Sequence, residues 1–424
     1  MFIVFRFVAG AGSWGFLALI PLYVAEISPP KLRGLMVGIG GIGITTGYAI
    51  ASYMGLAFNL SLEGHDEAQW RGPLGLQCVF PLFMLLILPI LPESPRWLLM
   101  KGHAEKAREI VMRIHSIPDD PDQEYPRSEF YQMQKQAEHD KKLEPTWLEM
   151  FTKPSYRKRT MLGCLFAFLG QSTAVLVINN YGPTLYQALG YDVKDRLILQ
   201  AGWVTVGLPA NALGAFIVDR VGRKPLMTFS LAASCACLIV EAAMIATYAS
   251  PVPAENPNYA GLKTGVAAFY IFLAVYSVGV DVCGNVYYSE IFPSHVRSKG
   301  VALAQTSLAL TDLVYLQATT TAFANIGWKF FLVFIIISGL GAPLWYFIAP
   351  ETKGVPLEEM ASIFGETTEV AIYARDVHVD HNTHDLVVDK DDEEGHIARV
   401  ATEGGAGMKN RVERLHMEDA EKTV

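Results

Sequence analysis

The sequence predicts an all-α membrane protein built from two homologous sets of spanning helices, and three observations carry that prediction. The chain of 424 residues is 51% hydrophobic and only 18% charged, with a mean hydropathy of +0.26, whereas soluble domains are about a quarter charged. Nine stretches are apolar over the ~20 residues a helix needs to cross a hydrocarbon core. A pattern also occurs twice, 264 residues apart: Tyr23, Glu26, Pro29 and Arg33 have the spacing Y-x-x-E-x-x-P-x-x-x-R, and Tyr287, Glu290, Pro293 and Arg297 repeat it. Duplicated halves of membrane-length segments mark a secondary transporter.

In chain order the apolar segments are Met1–Val24, Leu35–Phe58, Pro73–Leu91, Met161–Leu189, Leu197–Val218, Pro225–Ala249, Gly265–Tyr288, Val301–Ile326 and Trp328–Ala349. Met1 lies inside the first of them, so no cleavable leader is visible. Each copy of the repeated pattern closes one segment and opens the next. A second echo, Pro92-Glu93-Ser94 against Pro350-Glu351-Thr352, follows the third and the last segment. The five cysteines fall inside apolar segments without a loop framework, which argues against disulfides. Residues 101–154 are hydrophilic with helical charge spacing (Glu105/Arg108, Glu109/Arg113), broken near Pro118–Pro126. The expected organisation is therefore a three-helix partial bundle over 1–92, a helical insert over 93–159, a six-helix bundle over 160–350 and a tail over 351–424. From Pro350 onward 8 Lys and Arg face 18 Asp and Glu, so the tail carries the net negative charge. Beyond about residue 366 its composition predicts disorder.

Lys and Arg mark cytoplasmic loops. They recur in the loop with Lys31 and Arg33, in 92–160, in 219–225 and in 294–300, while 59–72 and 250–263 are poor in them. The alternation places the insert and the C-terminus inside and Met1 outside. Tyr287 is preceded in its half by three spanning segments and Tyr23 by none, so three helices of the first half are expected to be missing from this chain. An Asn59-Leu60-Ser61 sequon lies on the outer side, close to the membrane. His378, His381 and His384 read as a polar tail rather than a metal site. No phosphate loop, nucleophile constellation or metal-ligand cluster is visible, so neither an enzyme nor a cofactor is expected, and no feature suggests nucleic acid.

Arg6 followed by Gly10 and Gly12, then P-L-Y-V-A-E-I-S-P-P-K-L-R-G (Pro21–Gly34), P-E-S-P-R-W-L (Pro92–Leu98), D-R-V-G-R-K (Asp219–Lys224), Y-S-E-I-F-P-S-H-V-R-S-K-G (Tyr288–Gly300) and P-E-T-K-G-V-P-L-E-E (Pro350–Glu359) occur in this order. The series resembles the signatures of the sugar porter family of the major facilitator superfamily, from its fourth to its twelfth helix. The resemblance implies the major facilitator fold. It also implies alternating-access transport of a sugar or sugar-like polar solute, as a uniporter or a proton symporter, most naturally in the plasma membrane. A non-transporting nutrient sensor with this fold and an inactive truncated carrier are the rival expectations.

The motif charges end one helix and open the next, where they pair or reach the interface. By resemblance Glu26, Arg33, Glu93, Asp219, Arg220, Arg223, Glu290, Arg297 and Glu351 form a cytoplasmic gate. Family positions for the solute, counted from adjacent motifs, fall here on Tyr48, Gly170-Gln171, Ala174 with Leu176, Asn285 and Leu308-Ala309. Of the family's own residues at these places only Gln171 is kept. Tyr48, Gln171, Asn179, Asn180 and Asn285 are the expected solute contacts, since amide and carbonyl groups bond hydroxyls. Asp281 and Asp312 sit at membrane depth, where a carboxylate costs ~2.5–3.5 kcal/mol, and with Arg6 they are the expected proton-coupling groups. Gln305 adds a polar group, and Glu241 a further carboxylate on a helix that is peripheral in relatives.

Overall fold

The computed structural model describes residues 1–61, 66–116, 122–143, 146–188, 191–248, 259–366, 370, 372–379, 386–388 and 398–400. The expectations for much of the 250–263 loop, for His381 and His384 and for most of the tail beyond residue 366 lie outside them. The helices are α1 (Phe2–Ile27), α2 (Arg33–Ser61), α3 (Asp66–Leu76), α4 (Val79–Ile87), α5 (Pro95–Met100), α6 (Ala104–His115), α7 (Glu124–Asp140) and α8 (Glu149–Thr152). They continue with α9 (Pro154–Gln171), α10 (Val175–Ala188), α11 (Val193–Val221), α12 (Arg223–Tyr248) and α13 (Tyr259–Tyr276). The last are α14 (Val282–Glu290), α15 (Ser294–Ile326), α16 (Phe331–Ile348) and α17 (Met360–Ile363).

Two compact units emerge. The first comprises Met1–Leu91, Pro145–Phe292 and Val296–Val355; the second comprises Pro92–Glu144, Pro293–His295 and Pro356–Val424. All eight stretches long and apolar enough to cross a membrane have their spanning helices in the first unit. The last of them, Ser294–Ile348, holds both α15 and α16, which part at Gly327 where φ reaches +56°. Among the described residues this makes nine rods.

Two rods that the apolar pattern runs through without interruption are broken. The fourth segment is α9 and α10, separated by Ser172–Ala174. Ala174 has a φ of +67°, a left-handed conformation that costs a non-glycine residue ~1–2 kcal/mol. Local bonds support the break: Thr173 Oγ1 donates to the Gly170 carbonyl at 2.8 Å, and the Ser172 hydroxyl lies 2.8 Å from that of Tyr315 on α15. The Ser172 carbonyl accepts from Ser338 Oγ on α16. The seventh segment is interrupted between α13 and α14 by a π-helical turn, Ser277–Asp281. There Ser230 of α12 fills the widened backbone, donating to the Val275 carbonyl and accepting from the Val280 amide. Hydropathy is blind to both breaks because it reports polarity and not backbone conformation.

Small residues set the packing of α2 on α11 and of α11 on the π turn. A Cβ at Gly214 would meet the Val278 carbonyl oxygen at 2.4 Å, so only glycine admits this backbone approach. An aromatic cluster seals the lower core: Phe166 stacks on Tyr287 at 5.5 Å and meets Trp345 edge-on at 5.1 Å. By contrast α1 contributes little to the core, with Ala25 its buried residue.

The second unit is a small helical body. Ser94 caps α5 by accepting from the Trp97 amide, with Pro95 at the first helical position, where its missing N–H costs nothing. Leu98, Leu99, Ala107, Val111, Met133 and Ala137 form its core, joined by buried pairs of Arg96 with Glu358 at 2.7 Å and His115 with Glu129 at 2.6 Å. The expected helical insert over 93–159 thus ends sooner, since α9 already starts at Pro154. The tail also departs from expectation. Residues 377–379 and 386–388 pair as antiparallel strands β1 and β2, and β2 pairs with β3 (Ala398–Val400). Ile372, Val377, Val379, Leu386 and Val388 bury together with Tyr131 packed on them. Their apolar alternation gives one face of the strands something to bury, which average composition conceals.

Candidate functional site

A cavity of about 400 Å³ opens within the first unit, where the broken and bulged rods face α1, α2, α11 and α15. That volume falls in the range of small-molecule sites. Tyr48, Gln171, Asn179 and Asn285 line it, as do Asp281, Asp312 and Gln305. The break after α9 releases Gln171 from helical continuity. The π turn carries Asp281 and sets Asn285 one turn further on, where its amide donates back to the Asp281 carbonyl at 3.3 Å. Backbone irregularity at membrane depth is tolerated where it lines a cavity, and it marks transporter sites.

Asp281 is held by a residue that the sequence does not single out. Asn211 of α11 is fully buried, and its amide donates both to Asp281 Oδ2 at 2.9 Å and to Thr45 Oγ1 of α2 at 2.6 Å. One side chain thereby ties α2, α11 and the π turn at the cavity wall. Asp312 is nearly sealed from solvent, and its Oδ2 has no hydrogen-bond partner; Gln171 Oε1 and Gln305 Oε1 are likewise unpartnered. Aliphatic side chains and aromatic rings complete the wall, where Trp14, Phe166, Trp203, Tyr276 and Tyr288 join Tyr48. Tyr48 and Tyr276 both lie within electrostatic reach of the two carboxylates. Trp203 is fixed by its indole donating to the Phe269 carbonyl. Asn211, Thr45 and these aromatics sit on helices polar enough or bulky enough anywhere, so spacing gave no signal for them.

Three expected groups stand elsewhere. Asn180 is exposed one position beyond Asn179, and its amide donates to the Leu176 carbonyl at 2.9 Å. Arg6 is exposed on α1, over the Phe2 ring at 5.3 Å. Glu241 is fully buried off the cavity with neither oxygen hydrogen-bonded. The Asn59 sequon falls in the last turn of α2.

Most of the motif charges converge at the ends of the rods. Arg223 donates to both oxygens of Glu290, at 3.0 and 2.8 Å, and also pairs with Asp219 at 2.9 Å. Asp219 in turn accepts from the Gly34 and Leu35 amides at the start of α2, and Glu351 accepts from the Arg223 and Lys224 amides at the start of α12. Carboxylates at helix N-termini satisfy unpaired N–H groups and complement the dipole. Arg297 pairs with Glu26 at 3.5 Å, and Arg33 donates to the Val355 carbonyl. The Arg220 side chain is exposed. Glu93 belongs to the second unit and is exposed.

Paired broken rods around a polar cavity, with carboxylates capping the starts of α2 and α12, define an integral membrane carrier of the major facilitator fold. The model of the family described as Sugar (and other) transporter matches residues 1–364, and the chain belongs to that family. It is 31% identical over 369 residues to the MFS-type transporter criB of Aspergillus cristatus, covering 86% of this chain and 73% of that one. It is 28% identical to the low-affinity glucose transporter HXT1 of Saccharomyces cerevisiae (85% and 63%), and 26% identical to a probable quinate permease of Aspergillus fumigatus (85% and 67%). The chain thus spans about two thirds of the length of the relatives it matches. Among solved structures, the proton:xylose symporter XylE with bound 6-bromo-6-deoxy-D-glucose superposes with a TM-score of 0.69 at 20% identity, over 82% of this chain and 70% of that one.

Proposed function

We propose that this multi-pass membrane protein carries a small polar, sugar-like solute by alternating access, binding it in the cavity between the broken and bulged rods. The observation that carries this reading is the convergence of Gln171, Asn179, Asn285 and Tyr48 on one 400 Å³ cavity. Glucose, xylose and quinate in the names of relatives support a polyhydroxylated solute. Amide groups on the wall bond hydroxyls, and the rings cover the apolar face of such a solute. In this reading the chain moves its solute without chemical change and takes no cofactor. The charge ring of Glu26, Arg33, Asp219, Arg223, Glu290, Arg297 and Glu351 is the gate at the cytoplasmic end, the plasma membrane is its place, and the C-terminus is inside. Asp281 and Asp312 are the groups through which protons would couple to flux.

Uptake of labelled sugars in cells lacking their own hexose carriers tests the proposal. Saturable flux that falls at least tenfold in Gln171→Ala and in Asn285→Ala supports it. Flux unchanged in the double variant removes the cavity from the transport path. Solute binding without any flux would instead favour a sensor.

A further inference from the structure

The wall of the cavity has a one-sided chemistry. It holds two carboxylates, Asp281 and Asp312, and no Lys, Arg or His among the residues that line it. Three buried acceptors of the lining residues, Asp312 Oδ2, Gln171 Oε1 and Gln305 Oε1, have no hydrogen-bond partner. Asp281 receives a neutral amide hydrogen from Asn211, which orients the carboxylate without bringing a positive charge to it. Three arginines of the unit are engaged elsewhere: Arg223 by Asp219 and Glu290, Arg297 by Glu26, and Arg6 over Phe2. Six aromatic residues, Trp14, Tyr48, Phe166, Trp203, Tyr276 and Tyr288, line the same space, and aromatic faces attract cations, more so when desolvated.

Resting on the reading that this cavity binds the solute, we infer that the solute is an amine-bearing organic cation, an aminosugar or a similarly sized polar amine, rather than a neutral sugar or a carboxylate. An ammonium supplies three donors and a positive charge, which offset the cost of placing carboxylates at membrane depth. A solute carboxylate would meet two like charges in a low-dielectric space. A neutral hexose would satisfy the acceptors and leave the charge in place.

Two matched pairs test this: D-glucosamine against D-glucose, and benzylamine against benzyl alcohol, each pair exchanging one ammonium for one hydroxyl, with quinate as the anionic arm. Binding to the purified full chain is read by quenching of tryptophan fluorescence, since Trp14 and Trp203 line the cavity. The expected result is at least tenfold tighter binding of each amine than of its alcohol, no binding of quinate, and loss of the preference in Asp281→Asn and in Asp312→Asn with the melting curve unmoved. Equal or tighter binding of the alcohols, or a preference that survives both substitutions, overturns the inference and leaves the sugar carrier standing, with the carboxylates free to hold protons. Failure of all five compounds to bind overturns the cavity as a solute site, and this inference with it.

Discussion

Arg223 and Glu290 meet through two hydrogen bonds, at 3.0 and 2.8 Å, with both side chains almost wholly out of solvent. Removing one partner of such a pair strands the other charge in the interior, at about 3–5 kcal/mol. Arg223→Ala should therefore lower the detergent-solubilised melting temperature sharply. Arg223→Lys should recover part of it, because the charge returns without the planar two-pronged contact.

Gly34 stands where α2 begins, and a Cβ there would lie 2.2 Å from Asp219 Oδ1. Gly34→Ala should push Asp219 off the two amides it caps, and loss of a cap costs ~1 kcal/mol. Thermal unfolding of this variant should resemble that of Asp219→Asn, and the double variant should lose less than the two separate losses added together, because both act on one contact.

Ala174 offers a test in the opposite direction. Its φ of +67° suits glycine, so Ala174→Gly should be neutral to stabilising by up to ~1 kcal/mol. Ala174→Val should destabilise by at least as much and reduce flux, because Gln171 next to the break would be displaced. Melting curves and uptake measured on the same preparations check both.

In the proposed carrier, Asn211 acts on the solute through Asp281, to which it donates at 2.9 Å. Asn211→Ala should raise the KM for uptake several-fold while maximal flux changes less, and Asn211→Ser should restore a bond to one partner. If KM and maximal flux fall and rise together with expression, the residue has a packing role alone.

In the second unit Arg96 and Glu358 form a buried pair at 2.7 Å. Arg96→Ala should increase proteolysis of the segment around Glu358 and Glu359. Arg96→Ala combined with Glu358→Leu should reverse most of that sensitivity, since an apolar pair avoids the unpaired buried charge.

The spanning rods, the duplication and the charge motifs were legible because each imposes a repeated pattern: apolar length in the first case, fixed Glu-to-Arg spacing in the others. Tyr48 and Gln171 were legible through the family resemblance, counted from adjacent motifs, and Asn179, Asn285, Asp281 and Asp312 as polar groups within apolar segments; the structure places all six around one cavity. Asn180 was not separable from Asn179 by composition; a helix turns about 100° per residue, and that rotation exposes one while the other faces inward. The breaks at Ala174 and Ser277–Asp281 left no trace in hydropathy, since backbone conformation rather than polarity changes there. The hairpin at 377–388 escaped a compositional reading because five apolar residues suffice to build its core.

The carboxylates of Asp219 and Glu351 grip main-chain amides, with Glu351 engaging no arginine side chain in the bonds that define its place. Mobile ions weaken attractions between exposed charges, but they have little access to a carboxylate seated on peptide N–H groups. Raising the salt of the medium should thus leave Asp219 and Glu351 seated on the amides that begin α2 and α12.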